Sequence, residues 1–152
     1  MAVDDYGNIY INPKFSDELT EEEFYGVFAH EAFHIANRTF LRKGSREHFI
    51  WNLATDAIMN WYLLRDGFKL PKSGILPDVN TGIFVFPAQW GIDPSTGKPI
   101  TIKVLNDEGD PVSAENIYEQ LIKVRDSLPK QDGEGEGEGE GEGEGEGEEI
   151  GR

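Results

Sequence analysis

Cysteine is missing from this 152-residue chain, which removes disulfides and thiolate metal sites from consideration. Histidine is almost missing too, with three in all: His30, His34 and His48. No apolar run approaches the roughly 20 residues needed to span a membrane. The opening "MAVDDYGNIY" has neither the basic nor the apolar segment of a secretory signal. Nothing suggests the clustered Lys and Arg of a nucleic-acid footprint. A soluble, cytoplasmic, single-domain protein is the expectation, with no membrane and no nucleic acid among its partners.

The formal net charge of −15 is unevenly held. From Asp132 onward there are ten acids and one base, which leaves 19 acids and 13 bases before that point, a net −6. Residues 133–149 read "GEGEGEGEGEGEGEGEE". Glycine maximises chain entropy, the glutamates repel one another, and no side chain offers apolar area to bury. The expected organisation is a folded domain over 1–130 and a disordered Gly-Glu tail or linker over 131–152.

Within 1–130 the punctuation is clear. "NIYINPKF" alternates polar and apolar residues and predicts a strand over 7–12, stopped by Pro13. "LTEEEF" predicts a helix start: Thr20 caps, Glu23 completes a capping box, and Leu19 with Phe24 forms a staple. That helix is expected to reach Arg42–Lys43 and stop at Gly44. A second is expected from near Ser45 to Asp66–Gly67, with one apolar face of Ile50, Leu53, Ala54, Ala57, Trp61 and Leu64. "GIFVF" and "PITIKVL" predict a hairpin around the turn-like "DPSTG". "SAENIYEQLIKVRDSL" predicts a third helix, capped by Ser113 and closed before Pro129.

Two of the three histidines sit in "HEAFH", inside the first helix. Four residues apart on a helix, His30 and His34 lie about 40° apart around the axis and one turn apart along it, so both imidazoles reach one metal ion. Glu31 flanks them, placed to take a proton from a metal-bound water. Zinc suits imidazole ligands and acidifies bound water to a pKa near 7. A catalytic site needs a third protein ligand and one open position. Six residues after His34, where metzincins carry a third histidine, this chain has Phe40. Gluzincins and aspzincins instead draw a carboxylate from a later segment, and the second helix holds one mid-helix acid, Asp56. Asp is a poor residue for a helix interior. An antiparallel return after Gly44 puts Asp56 roughly 16 Å along the second helix, level with the two histidines. His48, only about 5 Å in, is the rival ligand. Asn60, one turn beyond Asp56, is placed to orient a ligand.

These segments together resemble a known family, the "putative metallopeptidase domain" found N-terminal to von Willebrand A-like domains in bacterial and phage proteins. "DDYGNIYINPKF" resembles its opening strand, "GVFAHEAFHIA" its zinc helix and "WNLATDAIMNWYL" its second helix. "LP" at 70–71 and "SAENIYEQL" match its closing segments. The resemblance spans most of residues 4–125, with an apparent insertion around the hairpin. It implies an α+β, zincin-like fold: a small β-sheet or hairpin packed on the active-site helix, and an antiparallel second helix carrying the third ligand. It also implies His30, His34 and Asp56 as ligands of Zn2+ and Glu31 as general base. Many relatives have a histidine where this chain has Thr39. The family's leading helix and trailing von Willebrand A-like domain are not in this sequence, and the Gly-Glu segment would be the linker to the latter.

The expected activity is hydrolysis of a peptide or protein substrate, extended along the strand at 7–12. His48, Tyr62 and Tyr118 are candidates to stabilise the oxyanion. The alternative is a non-catalytic zinc-binding interaction module in a bacterial or phage assembly. A fourth protein ligand would favour that module, and an open position the enzyme.

Overall fold

The computed structural model describes residues 1–129; the Gly-Glu tail lies outside the described residues. Strands β1 (Ala2–Val3) and β2 (Ile9–Tyr10) pair antiparallel. The expected strand over 7–12 is thus only two residues long. Asp4 shapes the turn before it: its carboxylate accepts from the Tyr6 and Asn8 backbone N–H groups, the Asn8 side-chain amide and the Tyr10 hydroxyl. Those bonds, Asn8's first, lower the Asp4 pKa to about 2. β1 is the strand that packs principally against the helix bearing the histidines.

Pro13 does more than stop a strand. It opens a short helix, α1 (Pro13–Asp17), whose cap is Asn12, accepting from the Lys14 N–H. Asn followed by Pro at the first helical position is a start signal in its own right. Helix α2 (Glu21–Ala36) begins as the sequence predicts, with the Thr20–Glu23 capping box formed in both directions.

α2 does not continue to Lys43. It ends at Ala36, Asn37 caps it, and Arg38 adopts a left-handed conformation (φ 53°) before a second short helix, α3 (Thr39–Lys43). A single left-handed residue ends an α-helix because its carbonyl and N–H leave the helical ladder. α3 is held by a forked contact from Arg42 to Glu115, and Arg42 also reaches the Asn37 carbonyl. Gly44 then closes α3. The next helix, α4 (His48–Arg65), starts three residues later than expected, because Glu47 rather than Ser45 caps the first N–H groups.

α4 departs from the one-faced expectation. Leu53, Ala54, Ala57 and Trp61 are buried as predicted, but so are Thr55, Asp56, Ile58, Met59 and Asn60 on its other sides. A helix buried all round belongs in the middle of a core. Here α5 (Ala114–Ser127) covers one side and α2 another. The hairpin β3 (Ile83–Val85) with β6 (Thr101–Lys103) adds Phe86, Ile100, Ile102 and Val104 to the same core. Between these strands, "DPSTG" turns a second two-residue pair, β4 (Ile92–Asp93) and β5 (Lys98–Pro99). The Gln120 amide of α5 bonds both the N–H and the carbonyl of Lys103, extending the pairing of β6 with a side chain. Mixed α/β architecture, small antiparallel sheets and five helices describe residues 1–129. No helix among them is long and apolar enough to cross a membrane.

The segment after α4 returns across α2 at Gly26, where a Cβ would collide with the Lys69 carbonyl. Gly26→Ala therefore has a diagnostic sign. In an open helix interior, alanine stabilises by about 1 kcal/mol. Against a backbone carbonyl, overpacking costs about 1–3 kcal/mol. Thermal unfolding is expected to show a lowered Tm; a raised one would mean that Lys69 does not lie on α2.

Candidate metal centre

α2 and α4 run side by side in opposite directions, as the order of their contacts shows: His34 meets Asp56, and His30 meets both Asp56 and Asn60. His30 Nε2 lies 3.1 Å from His34 Nε2, and Asp56 Oδ1 lies 3.1 Å from the first and 3.2 Å from the second. The three side chains are buried, at 2%, 4% and 6% exposure for His30, His34 and Asp56. They are the metal-compatible group of histidines and acids found among the described residues.

The outward nitrogens explain how the inward ones are presented. His30 Nδ1 donates to Asn60 Oδ1 at 2.6 Å. Asn60 cannot turn its amide round without losing a second bond, from its Nδ2 to the Ile75 carbonyl at 2.8 Å. His30 thus carries a proton on Nδ1 and, in its neutral form, turns a lone pair on Nε2 toward Asp56. On the other imidazole, Nδ1 lies 3.0 Å from the Thr39 hydroxyl. Were His34 likewise protonated on Nδ1, three acceptor atoms would converge in a buried place and repel unless a cation lay among them. A proton or a metal ion meets that need. The edges of 3.1–3.2 Å are close to the 3.3 Å or so that separates ligands of a tetrahedral ion held at about 2.0 Å. The donor set, two imidazoles and a carboxylate, fits a divalent metal.

A family model described as "putative metallopeptidase domain" matches residues 1–151. The chain belongs to this family. No curated protein and no solved structure matches it.

In this metallopeptidase-family chain the electrostatics follow the contacts. Burial alone pushes the His30 pKa down, but the hydrogen bond and charge of Asp56, with help from Glu31 and Asn60, outweigh it and leave His30 raised. Burial likewise pushes Asp56 up, and the two histidines reverse it, leaving Asp56 lowered. A metal ion would displace the proton that this cluster attracts.

Glu31 is different. It is fully buried, and neither carboxylate oxygen has a hydrogen-bond partner. Desolvation raises its pKa to about 7, against the lowering influence of His30. An unpaired buried carboxylate costs several kcal/mol in an ordinary core. Here it stands next to a cluster that calls for a cation.

The other sequence candidates fall elsewhere. His48 is exposed at the first turn of α4, with its ring at Asn52. Tyr118 accepts the Glu47 N–H with its hydroxyl, which commits it to the start of α4. Along that helix Asp56 is about 14 Å further on. The Tyr62 ring packs on Phe33 and Trp61 under Arg65. Phe40, in the place of a metzincin's third histidine, packs its ring 6.4 Å from that of His34. Asn60 orients His30 rather than its helix neighbour Asp56. The sequence marks Thr39 only as standing where many relatives have a histidine; its contact with His34 is not foreseen there, because nothing in "NRTF" announces the left-handed turn at Arg38.

Ligand identity is open to direct measurement. Competition with a chelator, using Zn2+ and Co2+ as probes, should show Asp56→Asn binding at least about 10-fold more weakly than wild type. His48→Ala should bind like wild type. The opposite pattern would remove Asp56 from the ligand set.

Proposed function

We propose that the protein is a zinc-dependent metallopeptidase with His30, His34 and Asp56 as zinc ligands and Glu31 as general base. One observation carries this reading: an unpartnered, fully buried glutamate adjoins a convergent His-His-Asp cluster. Family membership supports it. So does the ligand count. Among the described residues no fourth histidine or acid joins the cluster, whereas a structural zinc site is ordinarily closed by four protein ligands.

A bound Zn2+ supplies Lewis acidity toward a peptide carbonyl and makes water a nucleophile near neutral pH. The chain's own residues do the rest. His30 and His34 present neutral nitrogens, and Asp56 contributes the negative charge that makes the site selective for a cation. Glu31, with a pKa of about 7, is poised to accept a proton from the attacking water and, once protonated, to pass it to the departing amine. Its buried setting strengthens both transfers, because no solvent competes for the carboxylate. The short β1–β2 ribbon gives little edge for an extended substrate, and β1 rather than the 7–12 segment is the strand against α2.

Glu31→Gln tests the assignment. The amide keeps shape and volume but cannot take the proton. Cleavage of an unfolded protein substrate by the zinc-loaded variant should fall by about 10²–10⁴-fold, with zinc content unchanged. An unaltered rate would remove Glu31 from the mechanism.

A further inference from the structure

We infer that Thr39 is the positioning residue of the candidate metal centre: its hydroxyl holds the His34 imidazole in the tautomer that turns a free Nε2 toward the ion. This rests on the metal-site reading above. Thr39 is 3% exposed, and its Oγ1 lies 3.0 Å from His34 Nδ1 and 3.5 Å from the His34 carbonyl oxygen. A hydroxyl has one proton to give and two lone pairs to offer. In this assignment the hydroxyl proton goes to the carbonyl, which can only accept. The lone pair then faces Nδ1, which must be the N–H side of the ring. Were the hydroxyl to donate to Nδ1 instead, the ring proton would sit on Nε2, aimed at His30 Nε2 and Asp56 Oδ1, and would block the ion.

The surrounding fold fixes Thr39 where this works. Arg38, the one non-glycine residue with positive φ among those described (53°), ends α2 and reverses the chain within a few residues of His34. The Trp51 indole N–H donates to the Thr39 carbonyl at 2.9 Å, anchoring the backbone to α4. A β-branched side chain has few χ1 options, so a pinned backbone also pins the hydroxyl. His30 receives the same service from Asn60, a fixed carbonyl acceptor. The two imidazoles are therefore oriented by neutral acceptors drawn from different elements. Each leaves its Nε2 free without adding negative charge to a site that already holds Asp56 and Glu31. Partners of this kind ordinarily account for about 10–100-fold in metal affinity.

Thr39→Val replaces the hydroxyl with a methyl of the same shape, and Thr39→Ser restores it. Two quantities are read. The first is Zn2+ affinity by chelator competition at fixed pH: Val is expected to bind about 10–100-fold more weakly, and Ser to recover most of the loss. The second is the imidazole ¹⁵N signature of His34 in metal-free protein, at a pH where both rings are neutral. Wild type and Ser should show the proton on Nδ1, and Val should lose that preference. A wild-type signature with the proton on Nε2 overturns the proposal even if the Val variant fails to fold. So does a folded Val variant that binds Zn2+ as tightly as wild type, or one whose weaker binding Ser does not rescue. Failure of the wild type to bind Zn2+ would instead overturn the metallopeptidase reading, while the ¹⁵N signature would still decide which way Thr39 orients the ring.

Discussion

Two imidazole nitrogens and a carboxylate oxygen meet within 3.2 Å inside the protein. Gathering these polar groups out of water is costly, and the rest of the structure is organised to bring them together. α4 is buried on every side through its middle, which is unusual for a helix carrying an aspartate and an asparagine there. Trp51, Ile58, Met59 and Trp61 share one apolar cluster with residues of α5 and of the hairpin, which holds α4 in place. α2 is then laid along it with both histidines facing inward. Hydrophobic burial of this extent contributes roughly 25 cal/mol per Å², enough to keep a polar cluster together that would otherwise disperse into water.

Asp56 draws both histidines together by hydrogen bond and charge, and the cluster is braced from outside as well. Its outer contacts are neutral and lead to backbone: His30 through Asn60 to the Ile75 carbonyl, and His34 through Thr39 to a carbonyl of its own helix. Backbone carbonyls cannot titrate or rotate away, so both rings are referenced to rigid points. Neutral partners also leave the negative charge of the site to Asp56 and Glu31.

Glu31 gives the site a second character. A purely structural metal site has no use for a carboxylate kept dry and without hydrogen bonds. Burial raises its pKa to about 7, the direction expected of a carboxylate withdrawn from water. The same burial that makes the residue costly in the fold is what would make it a base under the proposed function.

The sequence alone determined the local signals. HEAFH on a helix, the Thr20–Glu23 capping box, the Ser113 cap and the alternating hairpin are each readable because helix and strand periodicities act over a few residues. The mid-helix position of Asp56 marked it as a residue needing a reason. Only the tertiary structure decided how α2 ends, because the segment that follows the left-handed Arg38 is held by bonds from Arg42 to Glu115 and from Trp51 to the Thr39 carbonyl. With that turn came Thr39, which the sequence marked only as a departure from the histidine of many relatives. The all-round burial of α4 was equally invisible, since an apolar stripe looks the same whether one neighbour or three cover the helix. What faces a polar side chain depends on which distant segments arrive beside it, and local periodicity holds no record of that.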